Sequence, residues 1–174
     1  MQKDNFISNL IFFLFSISLF IGFYFNEDSS GSGGFIADFL NTWGYVEALK
    51  ENILVRPSNW TVHTPLHYIL ISKLNFLFED KTLLRLVFCL MSISMPILFY
   101  NCLKIKFSLV SDKILLVFAS SIFLLPSFRS AAIWANNHMT ALIFFLLFTL
   151  FYLKWKKKLS DGTNDFKLVD LLLL

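Results

Sequence analysis

The chain has 174 residues, 56% of them hydrophobic and 22 of them phenylalanine, with a formal net charge of +3. Soluble domains average about 45–50% apolar residues, and here the excess is gathered in long runs, so the class is a polytopic membrane protein. There is no CxxC, HExxH or glycine-rich phosphate loop, which sets aside the usual soluble metal and nucleotide enzymes; no nucleic acid is expected as a partner.

Residues 6–25 form the first apolar run. Twenty helical residues cover about 30 Å, enough for a bilayer core and more than a typical signal-peptide h-region. No small-x-small cleavage pattern follows, so the run reads as a retained span. "NEDSSGSGG" (26–34) is a flexible polar loop. In "FIADFLNTWGYVEALKEN", Phe35, Phe39, Trp43 or Leu40, Val46 and Leu49 or Tyr45 form an apolar stripe, with Asp38, Asn41 and Glu51 off it. That is the pattern of a helix lying at a membrane interface. "VRPSNW" breaks it, because proline and its predecessor disfavour helix.

Residues 65–78 follow, "PLHYILISKLNFLF". Fourteen residues make about 21 Å of helix, too short for a core of about 30 Å. Lys73 sits near the middle, where a cation costs roughly 2.5–3.5 kcal/mol in a spanning helix. Further spans are expected at 83–103, 114–128 (broken by Pro126) and 139–153, with another beginning near 168. Cys89 and Cys102 read as core thiols, and the tryptophans at 43, 60, 134 and 155 as an aromatic belt.

Charge arbitrates the topology. Lys104, Lys106 and Lys113, and then Lys154, Lys156, Lys157 and Lys158, belong on the cytoplasmic side. With Lys3 also inside, that requires residues 65–78 to lie on the outer surface rather than cross. The external loop 26–82 then holds Glu27, Asp28, Asp38, Glu47, Glu51, Glu79 and Asp80 against Lys50, Arg56, Lys73 and Lys81, so seven acids less four bases leave −3. The expected fold is therefore all-α: a polytopic helical bundle in the inner or plasma membrane, N-terminus cytoplasmic, with an external loop carrying amphipathic interfacial helices.

Two polar segments face the outer compartment, the first loop ending in "HTPLHY" and "FRSAAIWANNHM" before the last helix. An acid and an arginine there suit chemistry on a lipid phosphate: the acid deprotonates an acceptor hydroxyl and the arginine neutralises the leaving phosphate. The segments "ADFLNTWGYVEAL", "HTPLHYIL", "LLRLVF" and "FRSAAIWANNHMTALIFFLLF", in this order after an N-terminal span, resemble the GT-C membrane glycosyltransferases. Within these, the protein O-mannosyltransferases and Rgt-type galacturonosyltransferases are the nearest in pattern. The resemblance implies transfer of a sugar from a polyprenyl-phosphate donor to a lipid-linked, glycan or protein acceptor among membrane lipids. It places the catalytic acid at Asp38, and substrate binding at Arg129, His63, His67, Asn137 and His138.

The sequence departs from the family in three ways. Thr64 and His67 replace a proline and a tyrosine, and Asn137 stands where many members have an acid. The last change counts against a second carboxylate and the divalent metal it would help to hold; no metal ligand is assigned. The chain is also short for such an enzyme, and the expectation is the N-terminal module of a longer one. Glu27–Asp28 is the competing acidic pair, read as part of a linker. The competing functions are a polysaccharide flippase or transport-class protein and an inactive structural membrane fragment. Against transport, polar groups concentrate outside the spans instead of lining them.

Overall fold

The structure, a computed structural model, describes residues 2–51, 66–74 and 80–160. Among these residues all regular structure is helical: α1 (Gln2–Tyr24), α2 (Gly34–Glu51), α3 (Leu66–Lys73), α4 (Lys81–Ser92), α5 (Ser94–Lys106), α6 (Asp112–Ser120), a 3-10 turn (Ser121–Leu124), α7 (Pro126–Ile133) and α8 (Asn137–Ser160). His63, Pro65, residues 75–79 and the apolar run near 168 lie outside the described residues. Among the described residues three stretches are long and apolar enough to cross a membrane: Phe6–Tyr24, Lys81–Lys106 and Asn137–Ser160.

The sequence explains the interruptions. Between α4 and α5 the break falls at Ile93, three residues before Pro96, which has no N–H to donate back into the preceding turn. Ser92 and Ser94 donate their hydroxyls to the carbonyls of Cys89 and Met91, each at 2.6 Å, which keeps them satisfied in apolar surroundings. Leu125, the residue before Pro126, is extended (φ −77°, ψ 115°), as sterics with the proline ring require. Pro126 then opens α7, where its fixed φ suits a first helical residue. The chain bends by 69° there, so the break expected at Pro126 within 114–128 separates two helical pieces, Asp112–Leu124 and Pro126–Ile133.

Contacts sort the helix termini into two ends. At one end, the C-terminus of α1 meets the start of α4, through a 2.9 Å hydrogen bond from Arg85 Nη2 to Asn26 Oδ1. At the other, the end of α5 meets the start of α6 through Lys104 and Asp112, 2.7 Å apart. Ile7 and Ser8 of α1 line one groove with Lys113 at that same end. Lys154 and Lys157 of α8 line a second cavity with Lys104. The lysines near both basic turns thus share an end with the start of α1, and residues 26–51 and α3 sit at the opposite one.

α3 has 8 described residues, about 12 Å of helix. Its buried face, His67, Tyr68, Ile71 and Ser72, packs into the bundle. The periodicity of α2 is reproduced with Phe39, Tyr45, Val46 and Leu49 buried and Leu40 52% exposed. Cys89 and Cys102 are free buried thiols. The main correction concerns 129–138, expected to be a semi-polar connection. Ser130, Ala132, Ile133 and Ala135 are fully buried, and Trp134 is 7% exposed, so this is core and not an aromatic belt. The small side chains of α7 let its backbone come close to its neighbours.

Candidate functional site

The site is built on how α1 stops. Asn26 takes the left-handed conformation (φ 53°). The Glu27 N–H donates to Gly22 O at 2.9 Å, and the Asn26 N–H to Phe23 O at 3.2 Å. This is a Schellman ending, with asparagine in the position that tolerates positive φ. It turns the chain back so that the Glu27 carboxylate lies over the last turn of α1. Gly22 is needed there, since a Cβ would overlap the Glu27 carboxylate and press on Arg129 Nη2.

Arg129, in the second turn of α7, reaches this carboxylate as a two-pronged pair: Nε to Oε1 at 2.7 Å and Nη2 to Oε2 at 2.6 Å. Its remaining donors go to Ser18 Oγ (2.9 Å), Ser18 O (2.9 Å) and Phe123 O (3.3 Å). All five guanidinium N–H groups are therefore spent within the bundle. The pair is partly sheltered, with side-chain exposures of 15% for Arg129 and 31% for Glu27.

A second arginine continues the network. Arg85 stacks 3.7 Å above the Trp134 ring and donates from Nε to Ile133 O at 3.0 Å. The indole N–H of Trp134 donates to Glu27 O at 2.9 Å, and the Ser29 N–H to Ser130 Oγ at 2.8 Å. α7 ends as α1 does: Ala135 has φ 48°, and the Asn136 N–H donates to Ala131 O at 2.9 Å. Asn136 then caps α8, its side-chain oxygen accepting from the His138 N–H at 3.0 Å and facing His138 Nδ1.

Asp28 fastens the loop to α2. Its Oδ2 accepts from the Ile36 N–H at 3.1 Å and its Oδ1 from the Ser30 N–H at 2.9 Å. Partial desolvation opposes ionisation, but the bonds from Ser30 and from the first turn of α2 outweigh it and hold the carboxyl below its ordinary value. Gly31 and Gly33, with φ of 65° and 74°, make the turn into α2.

The described residues among those expected at the site lie towards this end but form separate groups. Asp38 is exposed on α2, and its charge bears on the Tyr68 hydroxyl, which shares a hydrogen bond with Thr42. Burial, and behind it the charges of Tyr45 and Asp38, raise the Tyr68 pKa. Asp38 is thus beside a phenol, while the acid facing Arg129 is Glu27. His67 is 5% exposed; its Nδ1 is 2.9 Å from Thr140 Oγ1, and its Nε2 is buried with no partner. Burial lowers its pKa to about 4, so the ring is neutral. Asn137 is the half-buried first residue of α8, and His138 is exposed. His63 lies outside the described residues. Among the described residues no three His, Cys, Asp or Glu side chains are grouped so as to hold a metal.

Arg85 and Trp134 went unread as site residues, and Glu27, weighed as a competing acid, reads in the sequence as part of a linker. The available signal was electrostatic: two arginines flanking apolar runs need counter-groups, and Glu27 stands two residues past the first run. No family model, curated protein or solved structure matches this chain.

Proposed function

We propose that the chain is a multi-pass membrane protein whose acidic-loop end faces outward and carries glycosyl transfer from a polyprenyl-phosphate sugar. One observation supports it above the others. The lysine-rich turns and the start of α1 share one end of the bundle, and Asp38, His67, Asn137, His138 and Arg129 lie towards the other. This separation is what the positive-inside rule demands of a protein with an external active surface.

In this reading Asp38 is the general base, an exposed carboxylate that an acceptor can approach. The acceptor oxygen attacks the anomeric carbon, the bond to the phosphate oxygen breaks, the hydroxyl proton passes to Asp38, and polyprenyl phosphate departs. Arg129 serves the donor phosphate only by exchanging Glu27 for it, an exchange of one two-pronged oxyanion partner for another.

The test is transfer of a radiolabelled sugar from a polyprenyl-phosphate donor by membranes containing the protein. Asp38→Asn should lower transfer by about 10²–10⁴-fold, the usual contribution of a general base, with membrane insertion unchanged. Unaltered transfer rejects the role. The complete internal use of the Arg129 donors favours the second reading, an inactive module in which this end is a structural clasp. That reading predicts no transfer by the wild-type protein.

A further inference from the structure

The opposite end holds a feature that the proposed chemistry does not use. The last turn of α5, residues 107–111, the start of α6 and the face of α8 at 150–157 enclose a cavity of about 440 Å³. Its polar wall is Asn101, Lys104, Ser108, Asp112, Lys154 and Lys157. Three lysines and one carboxylate thus line the cavity, leaving +2 by charge count. Lys104 already holds Asp112 at 2.7 Å. Lys154 and Lys157, three residues apart on one helical face, make no ion pair among the described residues. Like charges at that spacing repel, and the open cavity between them and Lys104 is shaped to take an anion.

Two further observations place this cavity at a membrane surface. Phe107, Leu109 and Val110, on the turn beside the lysines, are 47%, 101% and 38% exposed. An apolar tip next to a basic cleft suits insertion among lipids and has no use for bulk water. On α8, Tyr152 and Trp155 are 46% and 41% exposed and lie 6.0 Å apart. Aromatic rings of this kind settle at the headgroup level, within a turn of Lys154 and Lys157.

We propose that this cleft is a binding site for the phosphate headgroup of an anionic glycerophospholipid in the leaflet at the basic end. Lys154 and Lys157 hold the phosphate, Asn101 and Ser108 offer hydrogen bonds to it, and the exposed Phe107–Val110 tip lies along the acyl chains. Basic pockets between spans on the cytoplasmic side bind such headgroups. A lipid is favoured over a soluble phosphate because only a lipid also covers the apolar tip. The proposal rests on the span reading and not on the transferase reading.

The experiment uses the full chain in nanodiscs of phosphatidylcholine with graded phosphatidylglycerol, counting retained anionic lipid by native mass spectrometry. Diffuse attraction to an anionic surface contributes about fivefold in affinity per lysine, and a direct charge-assisted contact to phosphate about tenfold or more. Lys154→Gln/Lys157→Gln should therefore weaken retention at least about 100-fold, whereas Lys106→Gln/Lys156→Gln, with the same charge change outside the cavity, should weaken it about 25-fold or less. Equal losses in the two double variants would mean diffuse surface attraction and overturn the site. Displacement of the lipid by equimolar glycerol phosphate would mean a free-phosphate site and overturn the lipid assignment. Alkaline carbonate extraction reads the underlying premise separately: release of the wild-type chain overturns the span reading and the lipid site with it, while a retained chain leaves the double variants to decide.

Discussion

Replacing Glu27 by glutamine removes the charge while keeping the shape, and the geometry sets the expected cost. The carboxylate accepts Arg129 Nε at 2.7 Å and Nη2 at 2.6 Å. Glutamine retains one acceptor oxygen and turns an NH2 group toward the other donor. One charge-assisted bond is lost and the other becomes a bond to a neutral acceptor. Hydrogen bonds to charged groups contribute about 1.5–3 kcal/mol each, so the loss before screening is roughly 2–4 kcal/mol. Exposures of 15% and 31% place the pair between surface and core, and water screening favours the low end, about 2 kcal/mol. For a chain of this length that corresponds to a fall in Tm of about 4–8 °C. Thermal unfolding in detergent, followed by circular dichroism, measures it. A double-mutant cycle with Arg129→Gln should return a coupling of at least about 1 kcal/mol. A Glu27→Gln variant within about 0.5 kcal/mol of wild type, or a coupling indistinguishable from zero, would refute the idea that this pair clasps α1 to α7.

Three other outcomes are expected. Gly22→Ala gains about 1 kcal/mol of helix propensity but forces a Cβ into the Glu27 carboxylate and against Arg129 Nη2; overpacking of about 1–3 kcal/mol should leave it less stable. The loss should shrink in a Glu27→Ser background, and a more stable single variant would show that the clasp yields freely. His67 has a folded pKa near 4 against an ordinary 6.5, so below pH 6.5 the unfolded chain takes up a proton that the folded one refuses. Stability should fall by roughly 3 kcal/mol as pH drops from 6.5 to 4, and level off below; an equally steep pH profile for His67→Gln would exclude this histidine as the source. Cysteines placed at Ser30 and Lys157 should react with an impermeant thiol reagent from opposite sides of the membrane, the native Cys89 and Cys102 being buried; labelling of both from one side would contradict the topology.

Local sequence determined the helices whose signal is local. Residues 6–25 and 139–153 are apolar runs long enough to declare themselves; α1 covers the first as far as Tyr24 and α8 covers the second. The stripe from Phe39 to Leu49 fixed the buried face of α2, because a 3.6-residue period is visible within one segment. Pro126 marked a break, since a missing N–H acts where it stands, whereas 83–103 read as one span and the structure breaks it at Ile93, ahead of Pro96. The charge pattern of the turns separated two groups of loops, and the helix contacts bring the lysines of both basic turns to one end.

What the sequence left unresolved is whatever depends on distant residues meeting. Glu27 reads as one acid in a serine- and glycine-rich loop; its partner is 102 positions away, and only the Schellman turn of α1 brings the two together. "RSAAIWAN" reads as a polar connection because small residues and one arginine carry little hydropathy. The fold buries it since small side chains permit close packing and its polar groups find partners on α1 and the following loop. Pattern could propose an acid and an arginine for one site; tertiary structure decided which acid the arginine holds, because a sheltered guanidinium takes the carboxylate that chain reversal places within reach.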